Sequence, residues 1–483
     1  MTTATQKVDL CIIGAGSGGL SVAAGAAQLG LSVVLIEKHK MGGDCLNTGC
    51  VPSKALLAAA KHAQAHRLTN IPGIDAHEPT IDFSRIKDHV QAAIDQIAPH
   101  DSVERFEGLG VRVLQGHARF VDRTSVEVNE EIVCAKRFVI ATGSKAAIPV
   151  IEGLQVDQVL THEQIFELKV APSHLIIIGG GPVGVEMAQA HRRLGVPVSL
   201  IESDRLLRND EPEHVDVIRS ALQKEGVNIY ESAQIQRISH GDALDPNTPT
   251  EVVIDQAGER YALKSSHILV ATGRTPQIED LGLEAAGVEA TDQGIVVDAH
   301  LKTSNKRIFA IGDVTGGPLF THVAGYQAGI IIKQVCFKLL TAKVDYRALP
   351  WVTYTDPELA HVGLTEAKAR EHFGDAIKIV RWSMADNDRA VAEGIKHGEV
   401  KVIATPKGKI LGASVVGPQA GELIAVWTLM INQGSKIGAM AQVISPYPTL
   451  GEISKRAAGA WYTPSLFSEK TRRLVRWLSK LPF

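Results

Sequence analysis

The sequence predicts an α/β protein built around two similar parallel-sheet units. Three observations predict it. They are an internal repeat, a strand-and-turn segment that follows each copy, and two closely spaced cysteines within the first copy.

The repeat sets the frame. Leu10 to Gly19 followed by Val33 to Glu37 has the same plan as Leu175 to Gly184 followed by Val198 to Glu202. Each copy reads as an apolar strand, a Gly-x-Gly-x-x-Gly turn, a helix, and a second apolar strand closed by a carboxylate. The first glycine and the acidic residue are 23 positions apart in both (37 − 14 and 202 − 179). This is the pattern of a dinucleotide-binding unit, in which the glycines let the backbone approach a pyrophosphate at a helix N-terminus and the carboxylate takes ribose hydroxyls. The expected contacts are Gly14, Gly16, Ser17, Gly18, Gly19, Glu37 and Lys38 in the first copy. In the second they are Gly179, Gly180, Gly181, Pro182, Val183, Gly184 and Glu202. A lone fingerprint of this kind is weak evidence; two in full context with matched spacing are strong.

Each copy is followed by an apolar strand ending in a small-residue turn. The first is Phe138 to Ser144, with Ala141, Thr142, Gly143 and Ser144; the second is Ile268 to Arg274, with Gly273 and Arg274. A third segment, Ile308 to Val314, ends its strand at Gly312-Asp313. Asp313 alone could cap a helix or sit in a solvated turn. Beside two nucleotide units, a flavin ribityl hydroxyl is the expected partner.

Cys45 and Cys50 lie within Gly42 to Lys54. Five positions along a regular helix give directions about 140° apart and a rise of about 7.5 Å. A disulfide needs Cα atoms roughly 4.4–6.8 Å apart. The stretch therefore cannot be one uniform helix. Gly49 permits a bend, and Pro52 suits a first helical turn. Cys50 is placed at a helix N-terminus, where a thiolate is stabilised, and Cys45 on a strand-like approach. Half a zinc site is the alternative, but zinc needs further paired ligands. Cys11, Cys134 and Cys336 stand alone, so no metal site is predicted.

These motifs, in this order from about residue 8 to about residue 460, resemble the pyridine nucleotide–disulfide oxidoreductases, which include glutathione reductase, dihydrolipoamide dehydrogenase and mercuric reductase. The resemblance implies two Rossmann-like domains, for FAD and NAD(P), plus a C-terminal α+β dimerisation domain, and hence a homodimer. It implies an FAD domain over residues 1–150 and 273–345, an NAD(P) domain over 151–272 and an interface domain over 346–483, entered at Pro350 and containing a hairpin from Val400 to Val416. It makes Cys50 the flavin-proximal sulfur and Cys45 the interchange sulfur. Gly43, Asp44, Lys54 and Glu186 fall near the flavin, with Lys54 and Glu186 paired. Gly116, His117 and Ala118 match the segment that holds the adenine, and Phe320, Thr321 and His322 a flavin-contacting segment; His322 could equally be a packing residue. Glu202 favours NADH. Arg205 and Arg208 are either surface charges or an allowance for NADPH.

One departure bears on the acceptor. Disulfide-reducing relatives carry a proton-shuttling histidine five residues before a glutamate; here Tyr447 takes that place and Glu452 keeps its own. Tyrosine, ionising near 10, is a poor base at neutral pH. Mercuric reductases also have tyrosine there, but the C-terminal cysteine pair and N-terminal metal-binding domain of those enzymes are not found in this chain. Three readings remain: a reductase of a metal ion, disulfide or sulfur species; a dihydrolipoamide dehydrogenase with another base; and a binding or sensing flavoprotein with diaphorase activity.

Composition is consistent with this. At 483 residues the chain needs several domains, and 45% hydrophobic residues supply their cores. A net charge of −3 gives no electrostatic case for nucleic acid. No apolar run approaches the ~20 residues of a membrane span. Met1 to Lys7 reads as a polar tail without a signal region, and five cysteines without an extracellular framework indicate a reducing, cytoplasmic setting. The tail, Glu469 to Phe483, has helical apolar spacing with interleaved Lys and Arg. It is expected to pack on its own dimer; an anionic membrane surface is the alternative.

Overall fold

The computed structural model describes residues 5–68, 72–240 and 249–482. The chain divides into two compact units, one of residues 1–59, 81–179 and 233–345, the other of residues 60–80, 180–232 and 346–483.

The first unit is built on a seven-stranded sheet. Its strands are β1 (Thr5–Ile13), β2 (Val33–Glu37), β3 (Val111–Gln115), β4 (Arg119–Asp122), β5 (Ser125–Val128) and β6 (Glu131–Ile140), in the order β3-β2-β1-β6-β5-β4, with Ile308–Ala310 paired to the end of β6. The pairs β3-β2, β2-β1 and β1-β6 are parallel. Ile12 lies opposite both Leu35 and Val139, and all three are buried. Parallel strands covered on both faces need such unbroken apolar runs. Helix α1 (Ser17–Gln28) follows β1, α2 (Gly43–Asn47) follows β2, and α3 (Cys50–Arg67) follows α2. The glycine turn, Glu37 and the cysteine segment thus converge at the carboxyl ends of parallel strands, where open α/β sheets bind ligands.

The polar N-terminal tail is corrected from Thr5 onward. Thr5, Gln6 and Lys7 extend β1 and pair with Ile132, Val133 and Cys134; a ladder is made by backbone groups and needs no apolar side chain there. Met1 to Ala4 lie outside the described residues. The unit also pairs Leu175–Ile178 in parallel with His267–Val270, and Ser144–Ala146 with Arg274–Pro276.

The second unit carries helices Pro182–Arg193 and Pro212–Lys224, with strands Val198–Ile201 and Asn228–Tyr230 in parallel. Its other part is a five-stranded antiparallel sheet that Pro350 opens, as the sequence predicts. The predicted hairpin is formed by Glu399–Ala404 and Ile410–Gly417. Helices Ala420–Asn432 and Glu452–Ala460 close the core over it; Trp427 is fully buried and its Nε1 donates to Ser454 Oγ at 3.1 Å. Glu211, Glu213 and Glu366 converge closely enough to suit a metal. Lys401 Nζ already occupies their centre, 2.6, 2.6 and 2.8 Å from the three carboxylates.

The tail does form a helix, Glu469–Leu478, capped by Ser468. Its apolar residues Leu474, Val475, Trp477 and Leu478 are exposed on the protomer. Among the described residues, no helix is long and apolar enough to cross a membrane.

Candidate active site

The two glycine turns close in the same way. Glu37 Oε2 accepts from Ala15 N at 2.6 Å and Oε1 from His39 N at 2.7 Å. Glu202 Oε2 accepts from Gly180 N at 2.6 Å and Oε1 from Asp204 N at 2.9 Å. Gly14 and Gly179 have φ of 103° and 112°, and a Cβ on either would strike the carbonyl oxygen of Ala141 or of Ala271. Glycine is required twice over, by backbone conformation and by the approach of the Ala-Thr-Gly segment. Gly116 donates its N–H to Glu37 O at 2.9 Å, which sets the Gly116 to Ala118 segment beside the first carboxylate.

The cysteine segment differs from the sequence expectation at one point. Cys45 stands on the short helix α2, not on a strand-like approach. Gly42 and Gly43, at φ 85° and 59°, turn the chain into that helix, and Asn47 Nδ2 ties it back to the Met41 and Gly43 carbonyls at 3.0 and 2.7 Å. Cys50 is the first residue of α3, as predicted. The two thiols are joined by a hydrogen bond.

Their environments are unequal. The hydrogen bond from Cys45 holds the Cys50 thiol down at about 6; Thr321 and the charge of Lys54 assist, against burial. Thr321 Oγ1 is 3.2 Å from Cys50 Sγ. The same bond to Cys50, with burial, drives Cys45 upward. Near neutral pH the pair is therefore a Cys50 thiolate and a protonated Cys45. A cleft of about 390 Å³ opens onto Cys45 and Thr321, lined also by Leu20, Leu46, Arg105 and Phe106.

A polar network stands beside the pair. Arg274 bonds Asp44 at 2.6 Å and donates to Ser144 Oγ at 2.7 Å, and Ser144 donates to Asp313 at 2.6 Å. His162 Nε2 reaches Asp44 at 3.0 Å. Burial pushes the Asp44 carboxyl up, but His162 and Arg274 outweigh it and hold the group at about 2. The sequence singled out four of these five residues separately. It missed His162, a lone histidine in an irregular segment that carries no motif. The stretch from Gly312 to His322 is tied down as well: Gly312 N donates to Gln327 Oε1 at 2.6 Å, and His322 stacks on Phe320 with centroids 5.1 Å apart.

The remaining candidates lie in the second unit. Glu186 is buried and its Oε1 accepts from Tyr354 N at 2.9 Å. Glu452 is buried in the first turn of its helix, 3.7 Å from Arg456. Tyr447 is 67% exposed. Its hydroxyl donates to Asp388 Oδ2 at 3.0 Å, which pushes its pKa above the ordinary value.

The first unit fits FAD on its own geometry. Gly14 lets the turn pack against the Ala141 carbonyl, Gly16 and Ser17 open a helix whose N–H groups suit a pyrophosphate, Glu37 ends its strand, and Asp313 follows the next one. The fold defines a flavoprotein disulfide oxidoreductase, a class that implies FAD and a pyridine nucleotide. The chain belongs to the pyridine nucleotide-disulphide oxidoreductase family: that family's description matches residues 8–328 and its dimerisation domain matches residues 349–458, which supports a homodimer. It is 37% identical to a mercuric reductase of Streptomyces lividans, over 95% of this chain and 97% of the relative. It is 34% identical to a dihydrolipoyl dehydrogenase of Bacillus subtilis, over 94% and 96%. Among solved structures, the Cu(II) complex of an HOCl-induced flavoprotein disulfide reductase, RclA, of Escherichia coli matches with a TM-score of 0.82 and 28% identity, over 94% and 99%.

Proposed function

We propose that this enzyme takes electrons from NADH and delivers them through Cys50 and Cys45 to a small thiol-binding acceptor, a soft metal ion or a reactive sulfur species. The observation that carries this reading is Tyr447, exposed and donating to Asp388, at the sequence position where the resemblance implies a proton-shuttling histidine. A tyrosine whose pKa is raised neither accepts a proton from Cys45 nor returns one to a departing thiol near neutral pH. A soft ion bound by sulfur needs neither service.

The residues divide the work as follows. FAD, when bound along Gly14–Gly19, Glu37 and Asp313, supplies the two-electron relay between nicotinamide and sulfur. Cys50 is kept anionic by Cys45, Thr321 and Lys54. Cys45 meets the acceptor from the cleft, its proton passes to water as the acceptor binds the sulfur, and the pair closes to a disulfide as two electrons pass to the acceptor. Glu202 selects the ribose diol of NADH, and Arg205 is engaged with the Arg208 carbonyl at 2.7 Å. We assign FAD to residues 1–150 and 273–345, the nicotinamide to 151–272 and the dimer interface to 346–483. Across that interface Tyr447 and Glu452 serve the other protomer's sulfur pair.

The mercuric reductase and the Cu(II)-bound reductase among its similar proteins support a metal acceptor; the dihydrolipoyl dehydrogenase supports the second reading. The deciding experiment is steady-state turnover of NADH with mercuric or cupric ion, lipoamide and glutathione disulfide. Fast metal reduction and weak disulfide turnover are expected. Lipoamide turnover at the rate of histidine-bearing relatives would move the enzyme to the second reading.

A further inference from the structure

The chain leaves its core at Trp461, the last buried residue, whose carbonyl accepts from Lys378 Nζ at 2.8 Å. Beyond it, every described residue except Ser468 and Thr471 is exposed. At about 100° per residue, Leu474, Val475, Trp477 and Leu478 occupy one side of the terminal helix, and Arg472, Arg473 and Arg476 the opposite side. The four apolar residues are 47–59% exposed. Phe467, just before the helix, and Leu481, just after it, extend the apolar surface at 61% and 49%. From Glu469 to Pro482 there are five cations and one carboxylate, a net +4 in a chain whose total is −3.

We propose that this helix docks the enzyme on an anionic lipid surface. An apolar face with Trp and Leu opposite an arginine face is the design of a helix that lies in a membrane interface. Ten residues span about 15 Å, half the ~30 Å of a hydrocarbon core, so the helix lies on the bilayer and does not cross it. Charge selects the occupant. A second copy of this tail would bring like charge against like, whereas phosphatidylserine is complementary to it. The tail also lies beyond residue 458, where the dimerisation domain shared by the family ends.

The test is co-sedimentation of the FAD-loaded protein with phosphatidylcholine vesicles and with vesicles containing one-third phosphatidylserine. Binding at least about tenfold stronger to the anionic vesicles is expected, and it should fall with added salt. Arg472→Glu/Arg473→Glu/Arg476→Glu and Leu474→Ser/Trp477→Ser should each abolish binding while flavin content and NADH oxidation stay at wild-type values. Brominated phosphatidylserine should quench the tryptophan fluorescence of the wild-type protein, which tests the docking without any variant. A wild-type protein that stays in the supernatant with anionic vesicles overturns the proposal. So does an apolar-face variant that sediments as a monomer where the wild type is a dimer, because that places the face inside the dimer.

Discussion

Thr321→Val tests whether Cys50 is held as a thiolate by its neighbours. Valine keeps the shape of threonine and removes Oγ1, which lies 3.2 Å from Cys50 Sγ. Wild-type Cys50 titrates at about 6, so at pH 7 about nine-tenths of it is thiolate. A hydrogen bond to a charged group is worth about 1.5–3 kcal/mol, and a bond to sulfur falls at the low end. At about 1.4 kcal/mol per pH unit, losing it raises the titration by about one unit. The variant should then be about half thiolate at pH 7. The assay is anaerobic reduction of the FAD-loaded enzyme, with the long-wavelength thiolate-to-flavin absorbance followed against pH. The expected result is a midpoint about one unit higher at unchanged flavin content. A variant with an unmoved midpoint, or a wild type that titrates like an ordinary cysteine, would refute the assignment of these bonds.

Further predictions concern the same structure. Cys50→Ser should abolish the long-wavelength absorbance, and Cys45→Ser should show it without reduction; spectra of the two purified variants decide this. Tyr447→His should raise lipoamide turnover by about 10²-fold through restored acid–base help, while Tyr447→Phe should leave it weak; steady-state rates at pH 7 check both. Lys401→Met leaves buried Glu211 without its partner and should destabilise by about 3–5 kcal/mol, read from urea unfolding. Asp44 titrates at about 2 in the folded chain, below the ordinary value of about 3.9. Its contribution is therefore complete above pH 4 and lost as pH falls toward 2. Arg274→Met should weaken it by about 1–2 kcal/mol, discounted because Asp44 is partly exposed, and should flatten the acid limb of thermal stability; an unchanged acid limb would argue against the pairing.

Much of the site is legible in sequence because its parts are backbone devices. A Gly-x-Gly turn, a buried strand run and an acidic strand end are local in sequence, and each maps onto one element: Gly14, Leu10–Ile13 and Glu37 in one copy, Gly179, Leu175–Ile178 and Glu202 in the other. The short helix carrying Cys45 was not legible. It is five residues long and is set by two left-handed glycines and the Asn47 side chain, not by periodicity. His162 was hidden for a different reason: it meets Asp44 across 118 positions of sequence (162 − 44), and nothing local marks such a partner. The Tyr447–Asp388 bond, from one loop to a short helix, is invisible for the same reason.

The way Glu202 closes its own turn has a consequence for evolution. Both of its oxygens already hold backbone N–H groups, at Gly180 and Asp204. The residue we assign to coenzyme choice is also the clasp of its own glycine loop. Replacing it with a neutral or basic residue to admit a 2′-phosphate would loosen the loop at the moment it changed the loop's taste. A lineage drifting from one coenzyme to the other cannot take that step alone; it must first find another way to fasten the turn. On that assignment, nucleotide preference is slow to change in this scaffold.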